Sequence, residues 1–517
     1  MRTIFVLFDT LNRHFLECYG GNAVKTPNFN RLAGRSVTFD NHYVGSMPCM
    51  PARRDLQTGR LNFMHRSWGP MEPFDVSVTE ELQKSGIYSH IITDHVHYLE
   101  DGGAGYCTRF SSRELIRGQE GDHWKAKINT PTDKWQQLYH EKQFAGGAWD
   151  KVAASSGKRS KRQHDMVNRD YIKDESDYPS AQCFRLGCEF LEENCDADDW
   201  FLQLETFDPH EPFAAPERLR KQYGAGAESK IRDWPPYDRV TEDSVECDEI
   251  RANYKALLAY CDEHLGRLLD KMDELDMWKD TMLVVTTDHG FLMGEHKWWA
   301  KLRMPIYQEI GHIPLFVHHP DHADMAGTRH KALTQTPDLM PTFLEAFDTP
   351  IPQSVRAKSI LPLLSDSGKK HHEAVLFGYY GGSINLSDGK HTYFCYPPEM
   401  EGQELFQYTL MPSHLFGYFS HAELSGAELV HDCPYTNGYP VLRVPVVPDS
   451  SWYKTHGLAR MVNEPTLLFD VETDPHQQAP IHDQKLHAHF RRMLVGAMRH
   501  HDAPAEAYRR LELPPPG

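Results

Sequence analysis

No stretch of this 517-residue chain holds the ~20 consecutive apolar residues that a membrane-spanning helix requires. Met1-Arg2 runs straight into a strand-like segment, leaving no room for a signal peptide, so a reducing cytoplasm is the expected location. Cysteine pairs at zinc-finger spacing are missing too. The ten cysteines, scattered from Cys18 to Cys433, also lack the density of a small disulfide scaffold. Cys183, Cys188 and Cys195 sit among Leu186, Phe190 and Leu191 in an amphipathic-helix pattern and read as structural. There is no internal repeat, and no low-complexity segment beyond Pro514-Pro515-Pro516. An excess of positive charge is lacking as well: 55 basic against 73 acidic side chains give a net charge of −18, which excludes bulk attraction to nucleic acid or an anionic membrane. An anionic substrate must then be drawn in locally.

What is present suffices for a large folded unit. With 40% apolar and 11% aromatic residues the chain can bury a sizeable core, and its length predicts a large α/β domain plus a smaller appendage. Strand-like and helix-like segments alternate from residue 1 to about 360, the pattern of a mostly parallel sheet sandwiched by helices. Strands are expected at 3–8, 89–93, 201–207 and 283–287, a short helix at 80–85, and a long one at 254–275 with Leu258, Cys261, Leu265, Leu268, Leu269 and Met272 on one face. Residues 110–182 lose the pattern and read as a long polar loop. Its basic run, Lys158-Arg159-Ser160-Lys161-Arg162, reads as a solvated loop, or more sharply as an attractor of polyanions or a subunit contact in a homo-oligomer. Beyond residue 365, strand-like pieces at 374–380 and 391–396 and a terminal helix at 487–500 predict a smaller α+β domain on an antiparallel sheet. The expected division is 1–365 and 366–517, the second part completing the substrate cleft. Most of the 31 histidines belong to the surface or to buried hydrogen bonds.

Three segments carry chemistry. Cys49-Met50-Pro51-Ala52-Arg53, with Arg54 next and Leu56-Gln57-Thr58-Gly59-Arg60 beyond, places a cysteine where a helix should begin. The helix dipole and two arginines are expected to activate the sulfur. A buried free cysteine is the plain alternative. The apolar run 283–287 ends in Asp288-His289-Gly290, and the first strand ends in Asp9-Thr10-Leu11-Asn12, so two carboxylates and an imidazole can meet at the carboxyl edge of one sheet. Hard oxygen ligands with a histidine describe a divalent cation site. Either aspartate alone is more often a cap or turn residue; their joint occurrence with Cys49 favours the site.

Other landmarks follow in order: Cys18-Tyr19-Gly20, Thr26-Pro27-Asn28 and Leu32-Ala33; then Asp208-Pro209-His210-Glu211-Pro212-Phe213; then Gly294-Glu295-His296 and Lys301; and Leu468-Phe469-Asp470-Val471-Glu472-Thr473-Asp474-Pro475 near the end. This ordered set resembles the type I sulfatases of the alkaline phosphatase superfamily. The resemblance implies that Cys49 is oxidised to formylglycine by a maturation enzyme, and that Asp9, the modified Cys49, Asp288 and His289 hold a metal. Calcium fits the family, and the imidazole also admits manganese or magnesium. Position 10 is usually a second acid; here it is Thr10, with Asn12 or water as substitutes. By the same resemblance Arg53 orients the formylglycine hydrate, and His210 serves the leaving oxygen with a pKa near neutrality. Lys301, thirteen residues beyond Asp288, binds sulfate, although on residues alone Lys297 is as good a choice. Asp94-His95-Val96-His97 stands where the family carries Lys-x-His, so His97 matches the histidine and His95 replaces the lysine; either imidazole can instead be structural. The implied reaction is attack of one hydrate hydroxyl on sulfur with loss of the alcohol, then release of sulfate as the second hydroxyl loses its proton and the aldehyde returns.

Sulfated sugars are the expected substrates ahead of small aryl sulfates. The rival hydrolase is one for phosphonate monoesters or phosphodiesters; the rival from another class is a non-catalytic binder of sulfoglycans or anions. Gly381-Gly382 and His421 are named as specificity residues without a mechanism.

Overall fold

The computed structural model describes residues 1–144, 160–226, 230–448, 450, 453–454 and 457–515. Its centre is an eight-stranded sheet. The strands are β1 Arg2–Phe8, β2 Val37–Tyr43, β3 Tyr88–Thr93, β4 Ser112–Leu115, β5 Trp200–Thr206, β6 Thr281–Thr287, β7 His312–His318 and β8 Arg329–Gln335. They lie in the order β8-β2-β7-β6-β1-β5-β3-β4, and only β7 runs antiparallel to its neighbours. The expected class, a mostly parallel sheet between helices, is what forms.

Side-chain alternation explains the two layers. In β1, Ile4, Val6 and Phe8 face one core while Phe5 and Leu7 face the other; in β6, Leu283 and Val285 oppose Met282 and Val284. The first core is covered by helices Pro27–Arg35, Pro179–Glu193 and Ser244–Glu274, the second by Cys49–Thr58, Val78–Lys84 and Leu339–Ala346. The helix at Cys49 is thus part of the sheet's covering, and its amino end rises at the carboxyl edge. Asp55 clasps the approach to it, accepting from Ser46 N at 2.6 Å, Ser46 Oγ at 2.8 Å and Asn62 Nδ2 at 2.6 Å.

A second sheet is built from Val375–Tyr379, Ile384–Ser387, His391–Cys395 and Leu467–Asp470, all antiparallel. Ser46–Met47 joins its edge in parallel, so the backbone just ahead of Cys49 is a strand of this second sheet. Helix Gln484–His500 packs Phe490, Leu494 and Met498 onto it.

Three expectations change. The long helix starts at Ser244, ten residues early, because Asp243 and Glu246 form a capping box ahead of the apolar stripe. Residues 110–182 are not one loop: β4 and helices Thr132–Leu138, Glu141–Phe144 and Lys161–Arg169 lie there, and Trp135, Tyr139, Met166 and Val167 make a small core of their own. The basic run is not a solvated loop where it is described. Lys158 and Arg159 lie outside the described residues, but Ser160 caps a helix, Lys161 pairs with Glu120 at 2.5 Å, and Arg162 is buried with its guanidinium 4.8 Å from the Trp234 ring. Helix Pro179–Glu193 carries Cys183 and Cys188, and Cys195 follows its end. Among the described residues no helix is long and apolar enough to cross a membrane.

Candidate active site

β1 and β6 pair in register with Phe8 opposite Thr287, so the next residues, Asp9 and Asp288, come side by side at the carboxyl edge. Thr10 N donates to Asp288 Oδ1 at 3.2 Å, and Thr10 itself adopts φ +66°. Cys49, first residue of its helix, places Sγ 3.2 Å from His289 Nε2 and 3.7 Å from Asp9 Oδ1. His289 Nδ1 lies 3.0 Å from the Gly290 carbonyl, which can only accept, so Nε2 keeps its lone pair and turns it toward the sulfur. One ligand atom from each of Asp9, Cys49, Asp288 and His289 lies within 4.8 Å of every other. This donor set fits a divalent cation, because Asp9 Oδ2 is buried without a hydrogen bond and the two carboxylates crowd one another. Burial and Asp9 push Asp288 up, against Arg53; Asp9, which burial would also raise, is held well below the usual carboxylate range by Lys301 and Arg53.

Arg53 binds the cluster together. Its Nε donates to Glu205 Oε1 at 2.5 Å, Nη1 to Asp288 Oδ2 at 2.6 Å and to the Cys49 carbonyl at 3.0 Å, and Nη2 stands 3.1 Å from Asp9 Oδ2. Burial opposes its charge, but Glu205, Asp288 and Asp9 outweigh that and fix it. Burial and Asp9 raise the Cys49 thiol well above its usual value; Lys301 and Arg53, the latter shared among three carboxylates, pull it down without compensating. Arg54 contributes nothing to the sulfur: it turns away into a bidentate pair with Asp75, at 2.7 and 2.8 Å.

Of the two lysines, Lys301 is the one at the site. It is 1% exposed, with Nζ 2.8 Å from Thr10 Oγ1, 3.5 Å from Cys49 Sγ and 3.6 Å from Asp9 Oδ1, whereas Lys297 is exposed. Burial works against its charge, and Cys49, Asp9 and Glu211 overcome it, raising its pKa. Thr10 Oγ1 accepts from Lys301 and donates to Asp9 Oδ1 at 2.7 Å, so a lysine–threonine relay stands where the family usually has a second acid. Asn12 is not a substitute ligand; its Oδ1 accepts from His14 N and its Nδ2 donates to the Phe291 carbonyl.

His95 Nδ1 accepts from His97 N, which leaves Nε2–H facing Asp9 Oδ2 at 3.5 Å. His97 Nδ1 lies 2.9 Å from Glu100 Oε1. His210 Nδ1 donates to the Glu211 carbonyl at 2.6 Å, and its ring rests 4.0 Å from that of Phe207. Its expected near-neutral pKa does not hold, because burial and then Lys301 keep the imidazole uncharged. Gly381 O accepts from Gln403 and Gly382 O from Arg510, while His421 is exposed on helix His421–Ser425.

Sequence reasoning missed Glu205, Glu211, Glu120, Lys161 and Tyr237. Glu120, His210 and Glu211 converge within 4.8 Å, Tyr237 OH donates to Glu211 Oε1, and Lys161 closes on Glu120. Glu205 left a usable signal, since an acid inside a strand read as buried on both faces must be paired. Glu120 left none, being part of a segment without periodicity, and Lys161 left only its place in the basic run.

Fold and centre together define a hydrolase of anionic esters, with permanent positive charge and a cation-ready acidic cluster at a sheet edge. The sulfatase family model matches residues 2–349, and the chain belongs to the sulfatase family of sulfuric ester hydrolases. The N-acetylglucosamine-6-O-sulfatase of Bacteroides thetaiotaomicron is 23% identical over 424 residues, covering 73% of this chain and 74% of that protein. A structure solved in complex with its substrate D-glucosamine-2-N,6-O-disulfate matches with TM-score 0.64 and 15% identity over 98% of this chain and 99% of that one. The phosphonate monoester hydrolase of Agrobacterium radiobacter matches with TM-score 0.63 and 17% identity over 97% and 96%.

Proposed function

We propose that this chain hydrolyses sulfate monoesters of sugars, using a nucleophile made from Cys49 beside a divalent cation held by Asp9, residue 49, Asp288 and His289. The observation that carries this reading is the convergence of those four ligand atoms beneath Arg53 and Lys301. A cation there supplies Lewis acidity and lowers the nucleophile's pKa; calcium suits the two carboxylates, and manganese or magnesium the imidazole as well. Oxidation of Cys49 to formylglycine by a maturation enzyme, which the Cys49-Met50-Pro51-Ala52-Arg53 motif of the sulfatase resemblance implies, would offer hydroxyls as the nucleophile.

The chain's own residues then divide the work. Arg53 holds Asp9 and Asp288 open toward the cation and fixes the Cys49 carbonyl, a task suited to a planar fork. Lys301, held by Thr10 and 3.6 Å from Asp9, brings positive charge to the sulfuryl oxygens and binds them. His95 steadies Asp9, and His97 offers a contact to the ester. His210 presents Nε2 to the leaving oxygen. Burial and then Lys301 keep it neutral in the free enzyme, and a bound anion that offsets the lysine favours the proton it gives. The segment carrying Glu120 and Lys161, with residues 366–517, shapes the alcohol side of the cleft.

Turnover of a 6-sulfated amino sugar, a phosphodiester and a phosphonate monoester, measured side by side, tests the substrate class. The expected order puts the sulfate first; a preference for phosphorus esters of about a hundredfold, roughly 2.7 kcal/mol, overturns it. That second reading draws on His289 in the ligand cluster and on a hydroxyl rather than an acid at Thr10. Peptide mass analysis of residue 49 and the loss of turnover in Cys49→Ala test the nucleophile independently of substrate. A thiol at 49 in active protein removes it.

A further inference from the structure

A second convergence of ligand atoms lies at the far end of the helix that begins with Cys49. Gly59 ends that helix and lies against Met340, two residues beyond Asp338. Asp338 is fully buried between β8 and helix Leu339–Ala346. His371 and His372, on the segment ahead of strand Val375–Tyr379, both turn Nε2 onto it. His371 Nε2 is 3.2 Å from Asp338 Oδ2, and His372 Nε2 is 2.9 Å from both oxygens. The three groups lie within 4.8 Å of one another, and the carboxylate is oriented from behind by Gln335 N at 2.8 Å and Lys358 N at 3.1 Å.

We propose that Asp338, His371 and His372 form a second divalent-cation site, for a borderline first-row ion such as Zn2+, which ties the approach to the smaller sheet onto the catalytic sheet. Two imidazoles and one carboxylate are the donors such an ion prefers, with water in the fourth position. Around an ion with ligand bonds of ~2.05 Å, tetrahedral ligand atoms stand about 3.3 Å apart, so the two imidazole–carboxylate distances need to open by only a few tenths of an ångström. The backbone donors behind Asp338 are the outer support that ligating carboxylates have.

Hydrogen bonding alone leaves a residue of the region unexplained. His42 is fully buried beside Thr334, its Nδ1 2.9 Å from Thr334 Oγ1, and that hydroxyl in turn points to the Asn41 carbonyl at 3.4 Å. His42 Nδ1 is then the donor, and its Nε2 is a lone pair with no partner. Asp338 and His371 both act on this imidazole, and Asp338 and His372 act on His501, whose Nδ1 is also buried and unpartnered. An unfilled acceptor on a buried imidazole that feels this cluster is what a water bound to the ion would satisfy.

The test separates an ion from a set of plain hydrogen bonds. In His371→Gln/His372→Gln the side-chain amides can still donate to Asp338 but do not ligate Zn2+. Metal-stripped protein is titrated with Co2+ in an Asp288→Asn background, which impairs the catalytic centre, and folding is followed by circular dichroism. The intense visible absorption of tetrahedral Co2+ is expected at about one equivalent, displaced by Zn2+. The double glutamine variant should lose it, with affinity down by more than the roughly hundredfold that losing one outer partner costs. Equal Co2+ spectra and stoichiometry in the two proteins overturn the site. If the double variant fails to fold, elemental analysis compares Asp288→Asn with Asp288→Asn/His372→Gln, both purified from Zn2+-supplemented medium: a loss of about one zinc per chain in the second supports the site, and equal zinc in the two overturns it.

Discussion

Glu211 is buried with Oε1 accepting from Tyr237 and Oε2 3.3 Å from His210 Nδ1. Burial pushes its pKa up to about 7, although Lys301 and the Tyr237 hydroxyl pull it down. Ionised Glu211 favours a proton on His210, so kcat/KM should climb as pH rises through about 7, and Glu211→Gln should flatten that limb. Stability runs the other way. A carboxyl raised in the folded state above its unfolded value near 4.5 contributes stability that is complete below that value and lost as pH rises through 7. Glu211→Gln should therefore gain on the wild type by about 2–3 kcal/mol between pH 5 and 8 in chemical denaturation, while losing activity. A variant that is both less stable and less active at pH 8 would contradict this. Such couplings escape a sequence reading. Asp9, Asp288 and Lys301 were legible because strand ends and an ordered motif named them. Arg54 was misread because only packing shows that it turns to Asp75.

Helix Ser244–Glu274 reaches the site through one side chain. Tyr254 OH donates to the Thr10 carbonyl at 3.1 Å and accepts from Asn12 N at 3.0 Å, so a helix on one face of the sheet holds the turn that follows Asp9. Its first turn, ten residues away, is fixed by the Asp243–Glu246 box. Two substitutions in one helix should then differ in kind. Asp243→Ala is expected to lower stability by about 1 kcal/mol and leave kcat unchanged. Tyr254→Phe leaves a buried N–H unsatisfied, costs about 1–3 kcal/mol and lowers kcat as the Asp9 turn loosens. Thermal unfolding and turnover of the pair check this; equal kcat in both would remove Tyr254 from the site's support. The helix's apolar stripe was readable over 254–275, but its start depended on a cap in a polar stretch. The two-residue strand Ser46–Met47 offered no pattern at all, since so short a pairing is set by the partner sheet rather than by its own residues.

For the whole molecule the balance of charge sets how a substrate arrives. The chain carries −18, and within the centre Arg53 is already matched by Glu205, Asp288 and Asp9, so little positive potential reaches beyond Lys301. At low ionic strength, where the Debye length is about 30 Å, the summed field repels an anionic ester before Lys301 can act; at ~0.15 M salt the length falls to about 8 Å and only local charges remain. The proposed sugar sulfates should thus show kcat/KM rising by about two- to fivefold over that range with kcat unchanged, the rise steeper for a disulfated sugar than a monosulfated one. Stopped-time assays across a salt series measure this. A steep fall instead would mean that surface cations steer the substrate inward and that net charge is a poor guide to the field at the cleft.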